Sequence, residues 1–151
     1  MPQGPRLIVV DASVVLKWQL DDEECIPQAT ALRNDFYALE AIKAIAPHLL
    51  VYEVINGILT ATRRKRLDSK KALKALDNLA RLGVELKEVA PERVLQLALD
   101  YSLSAYDAAY LALAESEACE LWTGDRPFYQ AIKSELPLVK WIGDYVPEVG
   151  Q

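Results

Sequence analysis

The sequence predicts an α/β fold in which a parallel sheet is covered by helices on both faces. Three observations carry this. Leu7-Ile8-Val9-Val10 is a continuous apolar run rich in β-branched residues, as expected of a strand buried on both sides. Short runs of that kind alternate along the chain with longer segments of helical period. No Pro-, Gly- or Ser-rich linker, internal repeat or low-complexity segment divides the 151 residues, so a single domain over residues 1–151 is expected, long enough for a sizeable core.

The elements follow in order. A helix over about 13–20 succeeds the first strand. The acidic stretch Asp21-Asp22-Glu23-Glu24 then opens a second helix, about 23–40, because acids in a first turn suit the helix dipole. Ala44-Ile45-Ala46 is a short strand stopped by Pro47. Residues 48–65 form a strong helix whose apolar positions include Val51, Val54, Ile55, Ile58 and Leu59. Asp68 or Ser69 caps the next helix, which carries Leu73, Leu76 and Leu79 and stops at Gly83. Residues 84–89 alternate apolar and charged, which suits an edge strand. Pro91 opens a helix at its first position. Ser104 caps another, with Asp107 three residues on. Leu121-Trp122-Thr123 is a strand, about 126–134 a short helix, and 138–141 the last strand.

Composition excludes several classes of protein. Apolar residues make up 52%, too many for a disordered chain. The net charge is 17 − 22 = −5, so no overall basic field attracts nucleic acid; a polyanion would need a local patch or a metal. Cys25 and Cys119 lie far apart and form no C-x-x-C, which disfavours zinc and a disulfide framework and suits a reducing cytoplasm. The longest apolar runs are too short to span a bilayer. Residues 1–6 lack the charged and apolar regions of a signal peptide, so the expectation is a soluble intracellular protein.

Four acids stand where such a fold turns side chains into its ligand crevice. Asp11 and Asp125 each end a strand, and Glu53 and Asp107 fall in the first turns of two helices. Acids gathered without basic partners repel one another unless a cation sits among them. Oxygen-only ligands select hard cations, Mg²⁺ or Mn²⁺, over zinc or copper. Such ions activate water for attack on phosphodiesters. Ser13 and Thr123 stand two residues from Asp11 and Asp125, and Asn56 is one turn beyond Glu53, so all three are candidate supporting residues. Each acid also has a reading as local punctuation: Asp11 and Asp125 as helix caps, Ser104 with Asp107 as a capping arrangement, and Glu53 as a surface residue of an amphipathic helix. The argument rests on all four coinciding at crevice-facing ends.

Four stretches carry a family resemblance. Val9-Val10-Asp11-Ala12-Ser13-Val14-Val15-Leu16-Lys17-Trp18 resembles the opening of the VapC-type toxins of the PIN-domain family. Ala46-Pro47-His48-Leu49-Leu50-Val51-Tyr52-Glu53-Val54-Ile55-Asn56 resembles their second motif. The run from Ser104 through Asp107 to Ala114 resembles the third, and Leu121-Trp122-Thr123-Gly124-Asp125-Arg126-Pro127-Phe128 the fourth. The motifs come in family order and cover nearly the whole chain. The resemblance implies a three-layer α/β/α PIN-like fold with a five-stranded parallel sheet ordered 3-2-1-4-5. It implies an endoribonuclease dependent on Mg²⁺ or Mn²⁺, with Asp11, Glu53, Asp107 and Asp125 as the acidic quartet. It also implies an RNA substrate, a homodimer and a small antitoxin that covers the cleft.

Other signals are weaker. Arg63-Arg64-Lys65-Arg66 is the main basic run; Arg63, Arg64 and Arg66 are candidate RNA contacts, or else a solvated last helical turn. Lys70, Lys71 and Lys74 suit an exposed helix face. His48 is the only histidine, and no G-x-S-x-G elbow accompanies it. A housekeeping PIN-fold nuclease of RNA processing stays open as an alternative. A receiver-like, non-catalytic Mg²⁺-binding signalling module would want adjacent acids at the first strand and an acid on a middle strand, yet Asp-Ala-Ser and Ala-Ile-Ala stand there. A dehalogenase-type phosphatase would want an acid where Ser13 stands.

Overall fold

The computed structural model describes residues 4–148. Half of the N-terminal run read for a signal peptide, residues 1–3, lies outside the described residues. The order of elements is β1 (Arg6–Val10), α1 (Ala12–Lys17), α2 (Ile26–Arg33), a π-helical turn (Asn34–Ala38), β2 (Ile42–Pro47), α3 (Leu49–Arg63) and α4 (Ser69–Leu82). There follow β3 (Glu85–Lys87), α5 (Pro91–Tyr101), α6 (Ala105–Ser116), β4 (Glu120–Thr123), α7 (Arg126–Ile132), β5 (Val139–Trp141) and a 3₁₀ turn (Ile142–Asp144).

All four strand pairings are parallel, and the order is β3-β2-β1-β4-β5. The architecture is the expected three-layer α/β/α sandwich. Ile8, Val9 and Val10 are fully buried, which is why β1 carries no alternation: helices cover both of its faces. Helix α6 is buried at every position from Ala108 to Ala114, because it lies between the sheet and α5. Its run of alanines lets these layers approach closely.

Val10 of β1 pairs with Trp122 of β4. Strand order reverses between these two neighbours, so the chain segments leaving them diverge and open a crevice at their carboxyl ends. Asp11 leaves one strand, and Thr123-Gly124-Asp125 ends the other. This register is the fold's contribution to the site.

The second helix departs from expectation. The acids at 21–24 do not form its first turn, since Cys25 takes a left-handed φ of 59° and Pro27 stands in the opening turn. Cations from elsewhere hold the acidic stretch instead. Arg66 grips Asp22 through two hydrogen bonds, at 2.7 and 2.6 Å, and reaches Glu23 at 2.9 Å. The helix then passes into the π-helical turn rather than running unbroken to residue 40. Strand β2 is longer than the Ala-Ile-Ala core, because Ile42 is also buried while Lys43 faces out. Asp68 caps α4 through the Lys71 N–H, and Gly83 ends it at φ 79°, a conformation that glycine adopts without strain.

The turn after α2 also fastens the segment that follows β5. Asp35 is 2% exposed and accepts from the Tyr145 hydroxyl at 2.6 Å and from the Glu148 N–H at 2.8 Å. Burial, and then the Asp35 charge, push the Tyr145 hydroxyl well above the usual phenol range, so it stays a donor. Tyr145→Phe leaves the carboxylate one donor short at nearly unchanged volume. Urea denaturation should show a loss of about 1.5–3 kcal/mol with an unchanged slope; a loss under about 0.5 kcal/mol would mean that the bond contributes little.

Candidate active site

Asp11 leaves β1 in an extended conformation and caps α1, accepting from the Val14 N–H at 3.3 Å. Two hydroxyls hold its carboxylate. Ser13 Oγ donates to Oδ1 and Thr123 Oγ1 donates to Oδ2, each at 2.5 Å. The same hydroxyls accept backbone donors that follow β4: Gly124 N–H reaches Ser13 Oγ at 2.7 Å and Asp125 N–H reaches Thr123 Oγ1 at 3.0 Å. Five hydrogen bonds thus gather on this acid and its two hydroxyls, and two of them, Thr123 Oγ1 to Asp11 and the Gly124 N–H to Ser13, tie the carboxyl ends of β1 and β4 together.

The other three acids sit around it. Asp125 caps α7 through the Phe128 N–H at 3.1 Å. Asp107 lies in the first turn of α6, where its own N–H donates to Ser104 Oγ at 3.0 Å. Glu53, on α3, accepts from the Tyr110 hydroxyl at 2.6 Å. All four line one cavity of about 590 Å³, with Ser13 and Asn56 also in its wall. Capping and convergence are therefore not rivals here. Asp11 and Asp125 do both, because a cap stands where a helix leaves a strand end, which is also where this fold opens its crevice.

Three of the four acids are held above the usual carboxylate range. Asp11 is raised to about 6, chiefly by burial, with a smaller push from Asp125; Ser13, Thr123 and the Val14 N–H pull the other way. Asp107 is also raised to about 6, by burial and then by Asp125 and Glu53. Glu53 is raised by burial, opposed by Tyr110, with Asp125 adding to the rise. Asp125 is the like charge common to all three. Among the described residues lining the cavity, none is Lys, Arg or His. Burial and mutual repulsion without a compensating cation are what a bound divalent ion would reverse.

The donor set fits such an ion in kind: oxygen ligands only, all lining one crevice. As the side chains stand, no group of three or more His, Cys, Asp or Glu among the described residues closes into a cage for an ion. Glu53 is turned onto Tyr110, and Asp11 is drawn between its two hydroxyls.

The remaining candidates divide. Thr123 is fully buried behind Asp11 and does not line the cavity. Arg63 and Arg64 are exposed at the end of α3, ten positions past Glu53 and so roughly 15 Å along the axis. Arg66 is occupied by Asp22 and Glu23. Tyr110 was not singled out from the sequence, although it stands three residues past Asp107, a spacing that returns it to the same helical face. Tyr52 and Tyr106 line the cavity too, and both are largely exposed.

A family model for the PIN domain matches residues 8–133. Ribonuclease VapC9 of Mycobacterium tuberculosis is 34% identical over 137 residues, spanning 87% of this chain and 96% of that protein. The crystal structure of PAE2754 from Pyrobaculum aerophilum superposes with a TM-score of 0.67 at 23% identity, covering 91% of this chain and 90% of that one. A toxin–antitoxin complex from Klebsiella pneumoniae superposes at 0.55 and 20% identity, over 88% and 95%. At these identities the two structures establish a shared fold.

The raised carboxyls set a pH dependence. Asp11 and Asp107 bind protons more tightly in the fold than in the unfolded chain. Their contribution to stability is present below about pH 4 and is lost as pH rises through about 6. Metal-free protein should therefore grow more stable from pH 7 down to pH 5, and Asp11→Asn should weaken that trend. Thermal melts in chelator across this range test it; a stability that falls on acidification to pH 5 would contradict it.

Proposed function

The chain belongs to the PIN-domain family, and on that footing we propose that it is a Mg²⁺- or Mn²⁺-dependent endoribonuclease, the toxin of a toxin–antitoxin pair. The observation that carries this reading is the convergence of Asp11, Glu53, Asp107 and Asp125 on one cavity whose described lining holds no basic side chain. The 34% identity to a VapC ribonuclease over most of both chains supports the choice of RNA.

In this reading the four acids hold the ion. An ion held there would supply Lewis-acid chemistry, offsetting phosphodiester charge and lowering the pKa of water for attack. Ser13 and Thr123 keep Asp11 in a single orientation by holding both of its oxygens. Tyr110 stays protonated, because burial and then Glu53 push its hydroxyl far above the phenol range, and so it steadies Glu53 as a donor. Asn56 offers its carboxamide to a phosphate oxygen from the cavity wall. Arg63 and Arg64 stay available to RNA phosphates farther along α3.

The proposal extends to residues 1–151 as a single PIN domain, a cytoplasmic homodimer and a small antitoxin that silences the cleft. Leu73, Leu95 and Leu99 are more than 60% exposed and give apolar surface for such partners. No described helix is long and apolar enough to cross a membrane. Two free cysteines suit a reducing compartment.

Induced expression of wild type and Asp11→Asn in parallel tests the function. Growth arrest with RNA fragmentation is expected for wild type alone, and chelation should stop cleavage by the purified protein without unfolding it. Cleavage retained by folded Asp11→Asn would remove the proposed site. Thr123→Val deletes one of the two hydroxyl contacts to Asp11 at similar volume. It should lower Mn²⁺ affinity or activity about 10–100-fold, measured by metal titration of the cleavage rate; an unchanged titration would assign Thr123 to the fold alone.

A further inference from the structure

An RNA strand at this cleft has to be held by groups other than the acids. At a net charge of −5 the chain offers a polyanion no general attraction. A second cavity, of about 550 Å³, lies beside edge strand β5 and reaches inward to Trp122 of β4 and Arg6 of β1; Tyr129, Lys133, Lys140 and Trp141 line part of it. Two adjacent residues approach the two cavities, though Arg126 lines neither. Asp125 lines the first, and Arg126 stacks over Trp141 of the second, with its guanidinium carbon 4.6 Å from the ring centroid.

From Arg126 onward, cations and rings continue along α7. Trp141 and Tyr129 lie 5.9 Å apart between centroids, and Lys133 Nζ lies 5.9 Å from the Tyr129 ring. Arg126, Tyr129 and Lys133 are spaced three and four residues apart, which sets them on one helical face. Arg126 and Lys133 are exposed, while both rings are half-buried. Gly143 leaves room for the Trp141 indole, which a side chain there would displace. The row is partly neutralised. Glu24 accepts from Arg126 at 3.3 Å, and Glu120 and Asp144 also line the cavity, the former paired with Arg6 at 2.6 Å.

Rings interleaved with cations suit single-stranded nucleic acid, in which bases stack on π faces and phosphates meet the charges. An acidic peptide would use the cations and leave the rings idle. We propose that this edge is the track for the unpaired strand flanking the scissile phosphate. Arg126 meets the first phosphate beyond the acids, displacing Glu24, and Tyr129 stacks an unpaired base. A paired duplex presents no free base face to Tyr129, so the track favours single strands. The proposal rests on the nuclease reading and adds to it where the substrate lies.

The test uses a fluorescent ten-nucleotide oligouridylate, with binding read by anisotropy in chelator and cleavage read separately with Mn²⁺. Tyr129→Leu should weaken binding about fivefold or more. The pair Arg126→Gln and Lys133→Gln should flatten the salt dependence by a slope of about 1. A ten-base-pair duplex should bind more weakly than the single strand. Cleavage of a dinucleotide should be unchanged in these variants, while KM for the ten-mer rises. Folded variants that bind and cleave the ten-mer as wild type does would overturn the track and leave the nuclease reading intact. Binding lost in the variants, with no RNA cleaved even by wild type, would overturn the nuclease reading and keep the track. An acidic decapeptide that binds the wild type more tightly than the oligouridylate, and loses that affinity in the variants, would assign the edge to a protein partner and overturn the proposal.

Discussion

Everything at the crevice depends on a buried carboxylate, Asp11, held between two strand ends by two hydroxyls. The parallel pairing of β1 with β4 brings Ser13 and Thr123 to its two oxygens, and the same hydroxyls bind the Gly124 and Asp125 N–H groups. A charge so deep is costly unless hydrogen-bonded, and these bonds lower its pKa without cancelling the rise that burial causes. The arrangement is rigid on one side, where the hydrogen bonds lie, and electrostatically unsatisfied on the other, where Asp107, Glu53 and Asp125 face the cavity. A divalent ion would answer that imbalance, which is why the geometry and the proposed chemistry belong together.

The acids also serve the fold. Asp11 starts α1 and Asp125 starts α7, so the residues that load the crevice with negative charge also satisfy the first N–H groups of two helices. A helix N-terminus tolerates a carboxylate through its dipole, which offsets part of the repulsion. Replacing either acid therefore acts on a cap as well as on the crevice. An Asp→Asn change keeps a capping oxygen, so it separates these roles better than alanine does.

Much of this was legible in the sequence because it rests on local rules. The unbroken Leu7–Val10 run marks a central strand, Pro91 and Ser104 mark helix starts, and Gly83 marks a stop. Three of the four acids are visible because each follows a strand or opens a helix, whereas Glu53, expected in a first turn, lies one turn further into α3, which starts at Leu49. What was not legible depends on distant partners. Asp21 to Glu24 read as a helical first turn, yet Arg66 and Arg126 draw the stretch elsewhere, and neither contact leaves a trace in the local sequence. For the same reason Arg66, one of three cations in a basic run, turned out to be occupied. Tyr110 escaped notice because its partner, Glu53, is 57 positions away. The π-helical turn at residues 34–38 carries no residue pattern that announces it.

The most direct test of the central claim is calorimetric melting of the metal-free protein titrated with Mn²⁺ at pH 7, beside a variant in which Asp11 and Asp125 are both changed to Asn. An ion that binds only the folded acids raises the Tm by mass action. The account predicts a Mn²⁺-dependent rise in Tm for the wild type and none for the double variant. A wild type indifferent to Mn²⁺, or a double variant that responds equally, would contradict it.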